Sequence, residues 1–468
     1  MKYFSTRDRT AKLYSFSDIL LKGLADDGGL YVPANYPQVS IEQLSTFKQL
    51  SYATLAAQVM FPFVEGSLSY EQLLDLTTKT YQPSVFGSEV ITPLEQLQSN
   101  IYIQDLSSGP SLAFKDMAMQ FLGHLMEFEL HRQGRQLTIL GASSGDTVSA
   151  AEQAMRSKAA IKVVMLTPKE GMSPFQKAQA GSILDDNICN ISIDGPFDCC
   201  QDLVKEVNSD LDFKTKYSIG AVNSINWGRI LAQIVYYFKG YLTLASALGD
   251  PIDVCVPSGN FGNVLAAYIA QQMGLPLRRL IVSTNENVVL DEFFKTGIYQ
   301  QRPVEVTSSP SMDISKASNI ERLFFDLVNR KGDVCQQMMQ QFSDQGRLDL
   351  SEYQGYLASK CGFFSGCSNH QQRLDTICEV YAKSQRIIDP HTAAGVFVAQ
   401  RLNTCDNTPI ICMETAKPAK FEQAIEEALD FIPKRPTGFE NLESQDQRFY
   451  SVDATAVAVK EFIAKRFA

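Results

Sequence analysis

The sequence predicts an α/β fold built on parallel sheets with helices on both faces. From Ile101 onward, short runs rich in β-branched and apolar residues alternate with longer stretches of helical periodicity. This alternation is typical of doubly wound sheets, because each parallel strand needs a helical crossover before the next one. A chain of 468 residues, 45% of them hydrophobic, can bury a large core and is expected to form two or three domains.

The first hundred residues carry helical patterns instead of alternation. These patterns run from Phe16 to Leu24 and from Ile41 to Phe61, and a glycine-rich turn and several prolines break them. We therefore expect a mostly helical N-terminal subdomain over residues 1–97 and a core over residues 98–468.

The strand–helix units of the core follow one another along the chain, each an apolar run followed by an amphipathic stretch. They predict two lobes, the smaller over about residues 135–220. A helical stretch over about 320–388, rich in Gln, Asp and Arg, interrupts the alternation as an excursion. The predicted strands are Ile101–Ile103, Leu137–Leu140, Ile161–Leu166, Asp253–Pro257, Leu280–Ser283 and Ile410–Met413.

Charge and hydropathy exclude several classes of partner. The formal net charge is −10 with a pI near 5.1, and no basic cluster is longer than Arg278-Arg279, so no nucleic-acid partner is expected. The N-terminus lacks the apolar core of a signal peptide, and no apolar run is long enough to span a bilayer. These features predict a soluble cytoplasmic protein without a membrane partner.

The ten cysteines are scattered, and some lie within predicted strands, as Cys255 and Cys412 do. Reduced, buried thiols fit this pattern better than disulfides. Cys361, Cys367 and His370 form the only grouping that suggests a metal, but their spacing matches no common zinc motif and a fourth ligand is missing. No metal is expected.

Lys115 is the candidate catalytic amine. It lies between the strand at Ile101–Ile103 and an amphipathic helical stretch. An amine that is fixed and partly desolvated has a lowered pKa, so it can serve as nucleophile and then as base. The alternative is a solvated or snorkelling lysine in the first turn of a helix. The apolar wall would come from Phe114, Met117, Phe121 and Leu125.

Three loops follow predicted strands, where ligands gather in open α/β sheets. The Gly141–Thr147 turn combines hydroxyls with a helix start and suits a carboxylate. Ser144 or Asp146 could also simply satisfy the first turn of the helix, and both readings can hold together. The Ser258–Asn263 loop has two glycines before a helix and suits a phosphate, or else it is only a tight turn. The third loop leaves Thr415 just beyond a strand.

Together these motifs resemble the threonine synthases, pyridoxal-phosphate enzymes of the tryptophan-synthase-β-like fold. The resemblance covers nearly the whole chain, with the motifs in the family's order. The segments that carry it are Lys2–Arg7, Gly23–Pro33, Gly109–Asp116, Ser144–Thr147, Met172–Lys177, Ala221–Arg229, Gly259–Asn263, Met312–Asn319, Asp389–Gly395 and Glu414–Phe421.

The resemblance implies two doubly wound sheet domains, pyridoxal phosphate as cofactor, and a role for each matching residue. Lys115 would bind the cofactor covalently, Thr415 would face its pyridine nitrogen, and Asp146 would lie at its ring hydroxyl. The cofactor phosphate would be held by Gly259, Asn260, Phe261, Gly262 and Asn263. The substrate carboxylate would be held by Ser143, Ser144, Gly145 and Thr147, and a substrate phosphate by Ser224, Asn226 and Arg229.

The implied reaction converts O-phospho-L-homoserine and water into L-threonine and phosphate, in a monomer or a homodimer. Two departures from the family pattern, Ser108 and Val148, leave open a phospho-lyase of the same fold that gives a keto acid, ammonia and phosphate. A cofactor-binding homologue without turnover is a further alternative. Without the resemblance, Arg229 would be read as a surface ion pair on a long helix.

Overall fold

The computed structural model describes residues 1–10, 12–142, 145–170, 172–403 and 407–467. Strands and helices alternate through most of this length. The strands are β1 (Tyr3–Ser5), β2 (Tyr31–Pro33), β3 (Leu94–Gln98), β4 (Ile101–Asp105), β5 (Leu137–Ala142), β6 (Ile161–Pro168), β7 (Ile188–Ile193), β8 (Ile219–Gly220), β9 (Ile252–Pro257), β10 (Leu277–Thr284), β11 (Ile298–Gln300), β12 (Arg347–Asp349), β13 (Phe363–Cys367), β14 (Ile410–Glu414) and β15 (Tyr450–Ser451).

The helices are longest where they cover the two large sheets. They are α1 (Phe16–Lys22), α2 (Ile41–Phe47), α3 (Tyr52–Val64), α4 (Tyr70–Thr80), α5 (Pro83–Phe86), α6 (Lys115–Gln133), α7 (Asp146–Met155), α8 (Pro174–Gly181), α9 (Phe197–Ser209), α10 (Leu211–Lys216), α11 (Trp227–Leu244), α12 (Gly262–Gln272), α13 (Val289–Thr296), α14 (Ile320–Leu327), α15 (Gly332–Gln345), α16 (Gln354–Ser359), α17 (His370–Ser384), α18 (Pro390–Leu402), α19 (Glu422–Leu429) and α20 (Ala456–Arg466).

The chain forms two compact units, and each is built from two separate stretches of sequence. Unit 1 comprises Met1–Ser108 and Ser224–Pro433. Unit 2 comprises Gly109–Asn223 and Lys434–Ala468.

Unit 1 is organised around a six-stranded sheet in the order β13-β10-β9-β14-β4-β3. All neighbouring pairs are parallel except β3 with β4 at one edge. Cys412 on β14 lies opposite Cys255 on β9 and Ile103 on β4, so these strands share one apolar layer. Residues of α17, α18 and α19 complete this core. Both cysteines are buried and free, as the scattered pattern predicts.

Unit 2 contains a five-stranded parallel sheet in the order β15-β7-β6-β5-β8. The C-terminal stretch supplies its edge strand β15 and the helix α20. Val459 and Ile463 of α20 are fully buried in one cluster with Leu166 and Ile191 of the sheet. The last part of the chain is therefore part of this core.

The predicted α/β class with parallel sheets is confirmed, and two local patterns resolve differently from expectation. The pattern over Ile41–Phe61 is two helices, because Ser51 caps a new helix by accepting from the N–H of Thr54. The stretch 320–388 contains, besides helices, the strand β13, which pairs with β10 at the sheet edge. The domain boundary at residue 97 stays a prediction.

Two features of the structure bear on the membrane and metal predictions. Within the described ranges, no helix is long and apolar enough to cross a membrane. In the same part of the chain, no group of three or more His, Cys, Asp or Glu side chains is arranged to hold a metal ion.

Candidate active site

The turn before α6 places Lys115 at the first position of that helix. Asp116 anchors this turn, because its Oδ2 accepts a hydrogen bond of 2.7 Å from the N–H of Ser111. A Cβ at Gly109 would lie 2.5 Å from the Asp116 side chain, so only glycine permits this close approach. Leu112 adopts a left-handed conformation with φ of 58°. The lysine is thus held by a tightly constrained backbone.

The side chain of Lys115 is largely buried, with 13% of it exposed. Its Nζ lies 3.2 Å from Oδ2 of Asp146, the first residue of α7, and the other carboxylate oxygen accepts from Nε2 of Gln176 at 3.3 Å. A solvated or snorkelling lysine is therefore the wrong reading. Gly145 occupies the cap position of α7, so Asp146 is the first residue of the helix. The alternative that Ser144 or Asp146 satisfies the first turn of this helix stays a prediction.

The remaining residues predicted to hold the substrate carboxylate surround this helix start. Gly145 and Thr147 lie on either side of Asp146, and both are half-buried. Ser143 and Ser144 lie outside the described residues. Unit 2 thus brings together Lys115, Asp146, Gly145 and Thr147 at the beginning of α6 and α7.

Both departures from the family pattern have clear local environments. Val148 is fully buried, so its β-branched side chain packs inward, and its N–H donates to the carbonyl of Gly145. The hydroxyl of Ser108 donates to Oδ2 of Asp105 at 2.6 Å. Asp105 also accepts from Nζ of Lys417 at 2.7 Å, and this pairing holds the pKa of the carboxyl below its usual value despite burial.

The loop after β9 presents a row of free backbone donors at the start of α12. Within the described part of the chain, the N–H groups of Gly259 through Asn263 meet no acceptor. Such a concentration of N–H groups at a helix N-terminus favours a phosphate. We call residues 259–263 the cradle. A Cβ at Gly259 would lie 2.4 Å from the carbonyl oxygen of Ser311, so the loop depends on glycine there.

Phe261 adopts a left-handed conformation, with φ of 64° and ψ of 0°. For a bulky residue this costs about 1–2 kcal/mol, so the surrounding structure must hold it. Its ring is fully buried and lies against Phe294 and Phe363 with centroids 5.9 and 6.0 Å away. The aromatic contacts therefore fix the side chain of Phe261.

Asn263 has a buried amide nitrogen that lacks an acceptor in the described structure. Its Oδ1 accepts from the hydroxyls of Tyr236 and Tyr237 at 2.5 and 2.6 Å. Burial raises the pKa of both tyrosines, so both hydroxyls stay protonated. The two tyrosines thus orient the Asn263 side chain so that its amide nitrogen can donate to a ligand. A phosphate oxygen would be a suitable acceptor. Tyr236 and Tyr237 were not among the residues predicted from the sequence. The pattern that could have indicated them is two adjacent tyrosines in a mostly apolar helix.

Thr415 follows β14 directly and has a free hydroxyl. Its backbone N–H lies 3.4 Å from Oγ1 of Thr392, which in turn donates to Asp389 at the start of α18. Among the described residues, the Thr415 hydroxyl has no hydrogen-bond partner. A held backbone with a free neutral hydroxyl fits a pyridine nitrogen that needs a donor. The segment around Asp389 carries one of the family motifs, but the sequence predicted no role for it.

Arg229 lies in the first turn of α11 with only 5% of its surface exposed. In the part of the chain that the structure describes, its guanidinium meets neither a carboxylate nor another acceptor. Burial lowers its pKa to about 10, so it stays charged at neutral pH. The surface ion pair expected without the resemblance is wrong. A buried cation without a partner is costly unless an anionic ligand joins it.

Asn226 and Ser224 precede Arg229 and form the turn that starts α11. Asn226 caps the helix by accepting from the N–H of Gly228 at 2.9 Å, and its amide donates to the carbonyl of Leu20. The Ser224 hydroxyl lies 2.8 Å from that of Ser318. We call Ser224, Asn226 and Arg229 the clamp. Most of the Asn226 side chain is engaged in starting the helix, so the guanidinium is the clamp's free group.

Comparison with known proteins assigns the family. Residues 2–81 match the family described as threonine synthase N terminus. Residues 85–362 match the family described as pyridoxal-phosphate dependent enzyme, and residues 392–463 match the one described as threonine synthase, C-terminal. The chain is 49% identical over 477 residues to a threonine synthase of Methylobacillus glycogenes, covering 99% of this chain and 100% of that one. The chain belongs to the threonine synthase family. It is therefore a pyridoxal-phosphate-dependent lyase, and the cofactor predicted from the motifs is confirmed.

Solved structures support the same assignment. PLP-bound threonine synthase from Brucella melitensis superposes with a TM-score of 0.96 at 37% identity, covering 100% of this chain and 99% of that one. Threonine synthase from yeast gives 0.94 at 35% identity, covering 99% and 98%. The threonine synthase fold predicted from the motifs is thereby confirmed.

The residues of this chain fit pyridoxal phosphate. The cradle offers unpaired N–H groups and the buried amide nitrogen of Asn263 to the phosphate, and Thr415 offers a hydroxyl to the ring. Lys115 offers an amine in a constrained position. Each of these groups belongs to a residue predicted from the sequence to hold the cofactor, and their roles stay predictions.

Proposed function

We propose that this threonine synthase family member converts O-phospho-L-homoserine and water into L-threonine and phosphate. The observation that carries the substrate assignment is the buried, unpaired guanidinium of Arg229 in unit 1. Its burial cost is offset when a doubly charged phosphate binds, because the planar group matches two phosphate oxygens. The full-length relatives named threonine synthase support the same choice.

Lys115 supplies the proton transfers in the proposed mechanism. When bound, the cofactor serves as an electron sink for charge that develops on the carbon skeleton of the substrate. The Lys115 amine removes a proton from the substrate α-carbon and one from the β-carbon, and phosphate leaves from the γ-carbon. Protons then return to the γ-carbon and the α-carbon, water adds its oxygen to the β-carbon, and the remaining proton of that water goes to the released phosphate. The carboxylate of Asp146, 3.2 Å from the amine, stabilises the protonated form of the lysine between these steps.

The other residues bind and orient. Arg229, with Ser224 and Asn226, binds the substrate phosphate and stabilises the charge that grows on it as the bond at the γ-carbon breaks. Gly145, Thr147 and the two serines at 143 and 144 bind the substrate carboxylate, and Asp146 lies at the ring hydroxyl. Thr415 presents a neutral hydroxyl to the ring nitrogen, which leaves that nitrogen unprotonated and moderates the electron sink.

A product assay tests the proposal. The holoenzyme is incubated with O-phospho-L-homoserine, and phosphate and threonine are measured separately. Equal amounts of both products are expected, whereas Lys115→Ala should give neither above background because no positioned amine remains. Phosphate together with a keto acid and ammonia would instead identify a phospho-lyase. Neither product, with a normal cofactor spectrum, would identify a binding protein without turnover.

The setting of the enzyme is part of the same proposal. We expect a cytoplasmic protein that acts on a small molecule as a monomer or homodimer and has no nucleic-acid partner. The acidic composition and the lack of basic clusters support the last point. Light scattering during gel filtration measures the oligomeric state.

A further inference from the structure

Asn319 joins the cradle to the turn that carries the clamp. It ends the conspicuous segment Met312–Asn319, to which no role has yet been given, and it is completely buried. Its Nδ2 donates to the carbonyl oxygens of Asn260 and Ser224, both at 3.1 Å. Its backbone N–H also donates to Asn260, again at 3.1 Å. One residue therefore holds two turns that lie far apart in the sequence.

The bonds to Asn260 act on the strained part of the cradle. The carbonyl of Asn260 and the N–H of Phe261 belong to one peptide group and point in opposite directions, because the bond is trans. Phe261 is left-handed, so rotation of this peptide would relieve strain and turn its N–H away from a bound phosphate. Two hydrogen bonds on the carbonyl oxygen oppose that rotation.

Arg322 orients the amide of Asn319. One guanidinium nitrogen donates to Oδ1 of Asn319 at 2.5 Å, so the amide nitrogen must face Asn260 and Ser224. Another donates to the carbonyl of Ile225 at 2.7 Å, in the same turn as the clamp. Arg322 is 1% exposed, and its guanidinium lies 5.6 Å from the Trp227 ring. The cation also polarises the amide, which strengthens its donated bonds.

We propose that Asn319, oriented by Arg322, is a positioning residue that holds the cradle peptide and the clamp turn in their phosphate-binding geometry. The inference rests on the proposed function in one respect, since it takes the cradle and the clamp as anion sites. It adds that affinity for the cofactor phosphate depends on a side chain that does not itself touch the cofactor.

The test compares two forms of the cofactor in the apoenzyme. Asn319→Ala removes all side-chain contacts, while Asn319→Asp keeps the shape and the acceptor for Arg322 but removes both side-chain donors. For both variants we expect the dissociation constant for pyridoxal phosphate to rise at least tenfold and that for pyridoxal, which lacks the phosphate, to change less than twofold. The phosphorus resonance of the bound cofactor should shift as well.

Asn100→Ala is the matched control. Asn100 also ties two segments of unit 1 together, by donating to the carbonyl of Thr408 at 2.7 Å, but it lies just before β4, at the opposite end of the strand from the ligand-binding edge. The cofactor affinity of the Asn100→Ala variant should match that of the wild type. If Asn319→Asp does not fold, Arg322→Lys reports the same ratio of dissociation constants, because lysine lacks the planar fork whose separate nitrogens bond Asn319 and Ile225.

Two outcomes would overturn the inference. Equal losses for pyridoxal phosphate and pyridoxal would mean general damage, and unchanged affinity for both would mean that Asn319 positions nothing. Because these titrations need no turnover, they are independent of the product assay. If the wild type binds the cofactor but makes no threonine while the ratio still changes in Asn319→Asp, the proposed function falls and the positioning role stands.

Discussion

At the scale of single residues, two buried ionisable side chains indicate different roles. Arg229 in unit 1 is buried without an acceptor in the described structure, and Glu152 in unit 2 is buried with no cationic partner among the described residues. Burial lowers the pKa of the arginine and raises that of the glutamate. Arginine keeps its charge at neutral pH, whereas a buried glutamate takes up a proton. The first is therefore suited to an anionic ligand, and the second is a neutral core residue.

Arg229→Met should stabilise the apoenzyme and weaken substrate binding. Removing an unpaired buried charge should raise the free energy of unfolding at pH 7 by about 1–3 kcal/mol. The KM for O-phospho-L-homoserine should rise at least 30-fold. Denaturant unfolding and steady-state kinetics measure the two effects.

Arg373→Met is the contrasting control for that variant. Arg373 is equally buried but pairs with Glu286 at 2.8 Å, so its removal should destabilise the protein. If Arg229→Met destabilises the protein as much as Arg373→Met does, the guanidinium of Arg229 has a stabilising partner and the substrate argument fails.

Glu152→Gln should remove a pH dependence of stability. Because the folded-state pKa of Glu152 lies well above its usual value of 4.5, unfolding releases a proton above that pH. Its contribution to stability is therefore lost as the pH rises, by up to about 1.4 kcal/mol per unit. The glutamine variant should match the wild type near pH 4 and be more stable at pH 7.

Chemical denaturation between pH 4 and pH 8 gives this comparison. Glu461→Gln, on the exposed side of α20, is the control and should follow the wild-type curve. A constant difference between Glu152→Gln and the wild type at every pH would show that Glu152 is already ionised in the folded state.

At the scale of single elements, the start of α12 depends on close backbone approach as well as on side chains. The cradle packs against Ser311, and the N–H of Ser311 donates to Nε2 of His391 at 3.1 Å. His391 is itself bonded to Asp389 at the start of α18. The segments that contain Ser311 and His391 therefore both support the cradle, Ser311 directly and His391 through Ser311.

Gly259→Ala and Gly262→Ala form a matched pair that tests this packing. A Cβ at Gly259 would meet the Ser311 carbonyl at 2.4 Å, whereas one at Gly262 would lie 3.4 Å from the Asn319 amide. The first variant must move the loop backbone, so its cofactor dissociation constant should rise at least tenfold. The second variant leaves the loop backbone in place, so its cofactor dissociation constant should change less than threefold. Fluorescence titration of the apoenzymes measures both, and similar constants would contradict the packing argument.

At the scale of the whole molecule, each unit is assembled from stretches that are far apart in the sequence. Residues 434–468 complete unit 2, where β15 pairs with β7 and α20 covers the sheet core. The stability of the unit that carries Lys115 therefore depends on the C-terminal helix.

Two valines on α20 test this dependence. Val459 is fully buried and Val457 is 64% exposed. Val459→Ala should cost about 2 kcal/mol and accelerate amide hydrogen exchange in β6 and β7, because it leaves a cavity in that core. Val457→Ala should change neither. Equal exchange in the two variants would show that α20 does not stabilise the sheet.

Local signals in the sequence predicted much of the fold and the candidate site. The strands β4, β5, β6, β9 and β14 lie where apolar runs are bounded by turn residues. The strand β13 was missed, because five residues with a glycine inside a helical stretch carry too little periodicity. Lys115 was singled out as a candidate because it lies between a strand and a helical stretch, and the cradle and Thr415 because they follow strand ends.

The sequence by itself determined the α/β class, the family and the chemistry of the main loops, because periodicity and motifs are local properties. Only the tertiary structure decided that Arg229 has no counter-ion among the described residues, that Asn319 holds Asn260 and Ser224, and that residues 434–468 belong with 109–223. These facts depend on which distant segments pack together, and no local pattern records the partner of a buried side chain.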